Sequence, residues 1–196
     1  MTQHPMPDGR RPANQGPRAA ARNRAALVAA ARAIYAEHGL DAPLSAIARR
    51  AGVGQGVLYR HFPDRAAVAT AVLEENVRQI EQAAAAPDAD LASVLGVLTW
   101  HLTESAAFIG FLHADGEYRR SGALARGLAL AERVKGALRG HLPAGHRLAT
   151  ADDLMLAVSM VSGAASGLTR AERERRVLAA WRLLGVEVGP LRPFDG

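Results

Sequence analysis

Apolar side chains recur along this chain with the period of an α-helix. Between residues 18 and 38 they are spaced by three and four positions, at Leu27, Ala30, Ala31, Ile34 and Tyr35. This spacing predicts an amphipathic helix. Gly39 follows the stripe and predicts its end, because glycine readily adopts the left-handed backbone that closes many helices. No segment alternates with the period of two that a half-buried strand requires, so the pattern predicts an all-α chain.

Residues 43–62 have the pattern of a helix, a tight turn and a second, shorter helix. Pro43 suits the first turn of a helix, which would bury Leu44, Ile47, Ala48 and Ala51 and end at Gly52. A turn at 53–54 then leads into a helix over 55–61. The inward positions of the stretch from the turn to the end of this helix are Val53, Leu58 and Phe62. A glycine-containing turn between two short helices is typical of a helix-turn-helix motif.

Asp64 is the predicted N-cap of a fourth helix that extends toward Ile80.

Most of the chain between Pro87 and Gly185 also has a helical pattern. We expect helices over 91–105, 106–113, 123–141, 151–167 and 171–184, separated by glycine and proline breaks. The predicted organisation is a disordered basic arm at 1–17, a three-helix domain with the helix-turn-helix at 18–72, a second helical domain at 73–186, and a flexible tail at 187–196.

The charge of the chain is concentrated in its first third. The net charge is +5 overall, but residues 1–72 carry ten arginines against four acidic residues, a net +6. This asymmetry is expected of a segment that contacts phosphates, although arginine-rich composition alone would also raise the isoelectric point. The 49% of hydrophobic residues is sufficient for a buried core.

An α-helix fits the major groove of DNA with its N-terminal residues against the base edges. The amide of Gln55 suits adenine, Val57 can offer a methyl contact to thymine, and Gly54 and Gly56 permit close approach. Tyr59 and His61 can donate to phosphates, as can Ser45 and Arg65, and Arg60 can contact either a base or a phosphate. Tyr59 could instead be a core aromatic residue, and for Phe62 we favour the core.

Other chemistry has no support in the sequence. The glycines at 52, 54 and 56 miss the GxGxxG spacing and follow no strand, and residues 163–167 do not form a GxSxG motif. There is no HExxH and no cysteine, so we expect no catalytic residues, no metal site and no cofactor. The absence of cysteine, of a secretory signal and of a long apolar segment favours a cytoplasmic protein without membrane contact.

Two stretches together resemble the TetR family of transcriptional regulators. They are AARAIYAEHG at 30–39 and IARRAGVGQGVLYRHF at 47–62, and the resemblance extends over about 22–72. It implies that the positions of Gln55, Val57, Tyr59 and His61 face DNA. The family often has serine or threonine where this chain has Gly54 and Val57, so two hydroxyl donors are missing here.

The resemblance also implies that the second domain, 73–186, is a helical ligand-binding and dimerisation domain. The last two long helices of the family pair with their copies across a twofold axis, which places a dimer interface at about 151–167 and 171–185. A mixed apolar and polar group on neighbouring helices supplies candidate ligand contacts, which could equally be ordinary core: Trp100, His101, Phe108, Phe111, Leu112 and His113.

The leading hypothesis is a homodimeric repressor that binds double-stranded operator DNA and is released by an unknown small-molecule effector. An activator or a ligand-independent regulator of the same fold remains open. A helical enzyme that carries a helix-turn-helix would need polar residues converging in the second domain, and a purely structural dimer leaves the polar face around Gln55 unexplained.

Overall fold

The computed structural model describes residues 16–105, 123–167 and 169–194. Within them the chain forms eight α-helices and no strand. They are α1 (Pro17–His38), α2 (Leu44–Arg50), α3 (Gln55–His61), α4 (Arg65–Ala84), α5 (Leu91–Glu104), α6 (Ala123–Arg139), α7 (Ala151–Ala164) and α8 (Arg170–Leu183). The prediction of an all-α chain with an N-terminal helix-turn-helix and a helical second part is confirmed. Residues 1–15 of the expected arm and the expected helix at 106–113 lie outside the described residues.

The first helices enclose a core of their own. Its largest fully buried side chains are Leu27, Tyr35, Ile47 and Leu58. Gly39 and Gly52 take positive φ angles of 72° and 68° where α1 and α2 end, as their positions in the sequence predict. Pro43 differs from the prediction, because it precedes α2 as the N-cap with an extended backbone. Proline has no N–H to donate and disfavours helical backbone at the residue before it. It therefore suits the N-cap as well as the first turn of a helix.

One helix, α4, connects the two halves of the molecule. It begins at its predicted N-cap, where the Asp64 carboxylate accepts a 2.7 Å hydrogen bond from the backbone N–H of Ala67. The side chains of its first half lie in the N-terminal core and those of its second half lie in a separate core that α5 to α8 complete: Val68, Ala69 and Val72, then Val77, Ile80 and Ala83. A displacement of α4 would therefore change the packing of both cores.

The second core is organised around a buried tryptophan of α8. Trp181 is 1% exposed, and its indole nitrogen donates a 2.9 Å hydrogen bond to the hydroxyl of Thr99 on α5. A buried indole N–H needs such an acceptor. This bond fixes α8 against α5 and gives the buried hydroxyl of Thr99 a partner.

The last described residues, which belong to the tail predicted at 187–196, lie against α5. Residues 187–194 form no helix, but they lie across α5, where the Gly189 N–H donates a 2.8 Å hydrogen bond to the Ala92 carbonyl. Leu191 and Phe194 pack against the second core. The contact is so close that a Cβ on Gly96 would lie 2.7 Å from the Pro190 carbonyl oxygen. The tail is thus a docked strap up to Phe194.

Candidate nucleic-acid interface

The helix-turn-helix presents α3 with one face inward and one face outward. Leu58 and the C-cap Phe62 are 1% and 2% exposed, whereas Tyr59 is 53% exposed. Gln55, Gly56 and Arg60 are exposed as well, and Val57 and His61 are half-buried. Helical periodicity accounts for this division, because positions 58 and 62 lie one turn apart on the same side. Of the two aromatic residues that the sequence left open, Tyr59 lies outside the core and Phe62 inside it.

The outward polar side chains have no partners within the described chain. Ser45 on α2, and Gln55, Tyr59 and Arg60 on α3, make no hydrogen bond or ion pair with residues 16–105, 123–167 or 169–194. Polar groups that the fold does not use remain free to bind an external partner. Arg50 differs, since its guanidinium donates a 2.8 Å bond to the Glu37 carboxylate.

Two glycines at the start of α3 are not required by the packing of the protein. A Cβ built on Gly54 or Gly56 would meet no atom within 4 Å, and neither residue has a positive φ. Neither steric crowding nor backbone conformation within the described chain therefore demands glycine here. A surface that approaches from outside would benefit from the missing side chains.

Arg65 occupies a place that the sequence did not suggest. Its Nη1 donates a 2.7 Å hydrogen bond to the carbonyl oxygen of Ala42, so it ties the start of α4 to the loop between α1 and α2. The side chain is half-buried. The guanidinium has further N–H groups, and contact with a phosphate stays a prediction for this residue.

The second core contains a cavity next to α4. Its volume is about 140 Å³, and its wall is almost entirely apolar. Residues of α4, α5, α6 and α7 line it, and Asn76, His101 and Ser105 are its polar members. Of the predicted ligand contacts, His101 lines this cavity and Trp100 does not. Phe108, Phe111, Leu112 and His113 lie outside the described residues.

His101 is a buried histidine without a hydrogen-bond partner. It is 3% exposed, and neither ring nitrogen has a partner in the part of the chain that the structure describes. Burial, and secondarily the positive charge of Arg32, lowers the pKa of His101 to about 3 against an opposing effect of Glu75. The imidazole is consequently neutral at physiological pH, with one N–H donor and one free acceptor.

A short chain of hydrogen bonds joins the wall of the cavity to the first domain. Arg32 of α1 donates a 2.7 Å bond to the Asn76 side-chain oxygen, and the Asn76 amide nitrogen donates a 2.8 Å bond to the Ser105 hydroxyl. The Arg32 guanidinium also lies 5.8 Å from the centroid of the Trp100 ring, which packs edge-on against His101. These contacts connect α1, α4 and α5 directly.

Comparison with known proteins assigns this architecture to a family. Residues 27–72 match the model of the bacterial regulatory proteins of the tetR family. A TetR transcription regulatory protein from Mycobacterium vanbaalenii is 32% identical, over 74% of this chain and 95% of that one, with a TM-score of 0.46. The chain belongs to the TetR family.

Other solved structures have the same fold over most of their length. The TetR transcriptional regulator SCO0520 from Streptomyces coelicolor is 25% identical over 88% of this chain and 99% of that chain, with a TM-score of 0.59. Salmonella enterica GusR is 21% identical over 82% and 91%, with a TM-score of 0.53. No curated protein sequence was found to match. TetR-family members are DNA-binding transcriptional regulators, which the helix-turn-helix of this chain fits.

The TetR-family chain also exposes apolar side chains on its last two helices. Leu156 and Met160 of α7 are 62% and 57% exposed, and Leu178 and Leu183 of α8 are exposed too. A Cβ on Gly163, one turn beyond Met160, would meet no atom within 4 Å. Leu156 and Met160 lie one turn apart on the same face of α7, and exposed apolar patches mark interaction sites when they are contiguous.

Sequence reasoning missed Arg32 and Asn76. Asn76 follows the apolar stripe of α4 at an inward position, and this polar residue among apolar neighbours was the available signal. Its partner on α1 lies 44 positions away, and helical periodicity gives no information on such a pairing. Within the described residues, no three metal-ligating side chains converge, and no helix has the length and apolar character needed to cross a membrane.

Proposed function

We propose that this TetR-family chain is a homodimeric repressor that binds a palindromic operator through α3 and leaves it when a small molecule occupies the second domain. The observation that carries the proposal is the outward face of α3. It exposes Gln55, Tyr59 and Arg60 without partners in the described chain, within a segment of net positive charge. A stable surface of this kind fits the major groove and the phosphates that border it.

Each residue of this face has a proposed task. The Gln55 amide pairs with an adenine edge and the Val57 methyl groups contact a thymine methyl. Gly54 and Gly56 let the start of α3 approach the bases. Phosphates receive hydrogen bonds from the side chains that surround the helix, which position the protein without specifying sequence: Ser45, Tyr59, Arg60, His61 and the remaining N–H groups of Arg65.

Dimerisation through α7 and α8 would complete the interface. Pairing the exposed side chains of Leu156, Met160, Leu178 and Leu183 with their copies would remove them from water. A twofold axis then presents two α3 helices to one side of the DNA. Their separation would be about one turn, roughly 34 Å, so the operator is expected to be palindromic.

Response to a ligand would use the cavity beside α4. Asn76 lines the cavity and also holds Arg32 of α1. A molecule that displaces Asn76 would therefore disturb the contact between the two domains. A ligand can release DNA only if it binds the DNA-free arrangement more tightly than the DNA-bound one. The Arg32–Asn76 bond is a contact that can differ between these arrangements.

Selection from random DNA tests the proposal. The purified chain is incubated with a library of random duplexes at physiological salt, and bound duplexes are enriched over several rounds. A palindromic consensus with half-sites about one turn apart would support the proposed function. Weak, salt-sensitive binding without enrichment would contradict it, since electrostatic attraction alone behaves in that way.

Transcription in vitro separates repression from activation. A promoter that overlaps the enriched site is transcribed with and without the chain. We expect less transcript when the chain is added. An increase would contradict the assignment as a repressor while leaving the DNA-binding proposal intact.

A further inference from the structure

The polar lining of the cavity beside α4 is nearly all committed to bonds within the protein. Asn76 uses both ends of its amide, because its oxygen accepts from Arg32 and its nitrogen donates to Ser105. The Ser105 hydroxyl thereby already has a partner. His101 is the polar lining residue, among those that the structure describes, whose side-chain atoms are all unpaired.

An unpaired histidine in such a place requires an explanation. Buried polar groups in proteins are almost always hydrogen-bonded, and each one that is not calls for a specific explanation, such as a catalytic role or a bound water or ion. His101 is 3% exposed and lines a wall that is otherwise apolar. The neutral imidazole offers one donor and one acceptor, so a ligand needs only one hydroxyl or carbonyl group to satisfy it.

The size and polarity of the cavity limit the remainder of the ligand. A volume of about 140 Å³ is close to that of apolar protein cavities that hold a single benzene ring. No carboxylate, amine or guanidinium lines the wall within the described chain. An ionised group placed against His101, which is 3% exposed, would lose its hydration without gaining a counter-charge from the lining residues, which is strongly unfavourable.

Resting on the proposed ligand response, we infer that the cavity binds a small uncharged molecule of about one ring, with a single hydrogen-bonding group that pairs with His101. The apolar body lies among Leu73, Val77, Ile80, Leu98 and Val158. The polar group of the ligand satisfies an imidazole nitrogen, and it lies beside Asn76, which connects to α1.

Calorimetric titration with three monocyclic probes tests this inference on the full chain at pH 7.5. Phenol carries the apolar ring and one hydroxyl, toluene lacks the hydroxyl, and benzoate carries a charge. We expect saturable binding of one phenol per chain, about three- to tenfold weaker binding of toluene, and no binding of benzoate. Phenol that does not saturate, toluene that equals phenol, or benzoate that binds as well as phenol would overturn the inference.

The variant His101→Phe removes the ring nitrogens and retains a planar ring. It should bind phenol about three- to tenfold more weakly and toluene as before, since the apolar wall is unchanged. His38→Phe, the same substitution at an exposed histidine of α1, should bind both as the unmodified chain does. Unchanged phenol affinity in His101→Phe would contradict the role of His101.

A measurement on the unmodified chain covers the case in which His101→Phe does not fold. Phenol should shift the ring-nitrogen NMR resonances of His101, and toluene should leave them nearly in place. Unshifted resonances under saturating phenol would overturn the inference. Because no DNA is present in either experiment, failure here leaves operator binding untouched, and failure of the DNA selection leaves this inference standing.

Discussion

Gln55 is the first residue of α3, and its amide is exposed and unbonded within the described chain. We expect Gln55→Ala to relax the sequence preference at one base pair in each half-site, at a cost of about 1–3 kcal/mol, because an amide pairs with adenine through two hydrogen bonds. Selection from random duplexes by the variant measures the change. Gln82→Ala, at an exposed glutamine of α4, is the matched control and should select the original site. An unaltered consensus for Gln55→Ala would remove this residue from base recognition.

His101 makes the stability of the fold depend on pH. Its pKa is about 3 in the folded chain against 6.5 ordinarily, so the unfolded chain binds more protons between these values. The contribution of a neutral, buried His101 is complete above pH 6.5 and is lost as the pH falls toward 3. The unmodified chain should therefore lose about 2 kcal/mol more unfolding free energy than His101→Phe between pH 7.5 and pH 5.

Urea denaturation at the two pH values measures this difference. His38→Phe, the same substitution at an exposed histidine, is the matched control and should keep the steeper loss of the unmodified chain, because it leaves His101 in place. Parallel stability losses in the unmodified chain and in His101→Phe would show that His101 is protonated equally easily in the folded and unfolded states.

Single residues also show how far sequence could predict the site. The inward positions of Leu58 and Phe62 follow from the helical period, and the outward position of Tyr59 follows from the same rule. The Arg32–Asn76 bond depends on the angle at which α1 crosses α4. No local pattern encodes that angle, so the bond and its neighbour Ser105 became visible only in the folded molecule.

At the scale of elements, the docking of residues 187–194 on α5 is the feature that most changes the predicted architecture. Gly96→Ala should lower the free energy of unfolding by about 1–3 kcal/mol, because the new Cβ would lie 2.7 Å from the Pro190 carbonyl oxygen. Gly136→Ala is the control in α6, where a Cβ meets nothing within 4 Å. That variant should be more stable by about 0.5–1 kcal/mol, and urea denaturation measures both. Equal stabilisation by the two substitutions would mean that the strap does not dock.

Helix boundaries were more predictable than the strap, for a physical reason. Gly39, Gly52 and the Asp64 N-cap act on their immediate neighbours, so each marks a boundary in the sequence itself. The glycines and prolines at 185–193 likewise excluded a helix. Whether that stretch packs against α5 depends on Gly96, which lies far earlier in the chain. The missing side chain of Gly96 leaves the space that the backbone at Pro190 occupies.

At the scale of the whole molecule, the proposed dimerisation would turn one DNA-contacting α3 into a pair. Met160→Glu should convert the dimer into monomers, because a charge would be buried in the proposed apolar interface of α7 and α8. Leu128→Glu, at a comparably exposed leucine of α6, should remain dimeric. Sedimentation equilibrium measures both molecular weights. A dimeric Met160→Glu would place the interface elsewhere.

The central claim is that this chain recognises a DNA sequence rather than charge alone. The most direct measurement compares its affinity at physiological salt for the selected palindrome and for a scrambled duplex of the same length and composition. We predict at least about a thousandfold tighter binding to the palindrome, within the range of specific regulators, and two chains per duplex. Equal affinities for the two duplexes would contradict the claim, because attraction to phosphates does not depend on sequence.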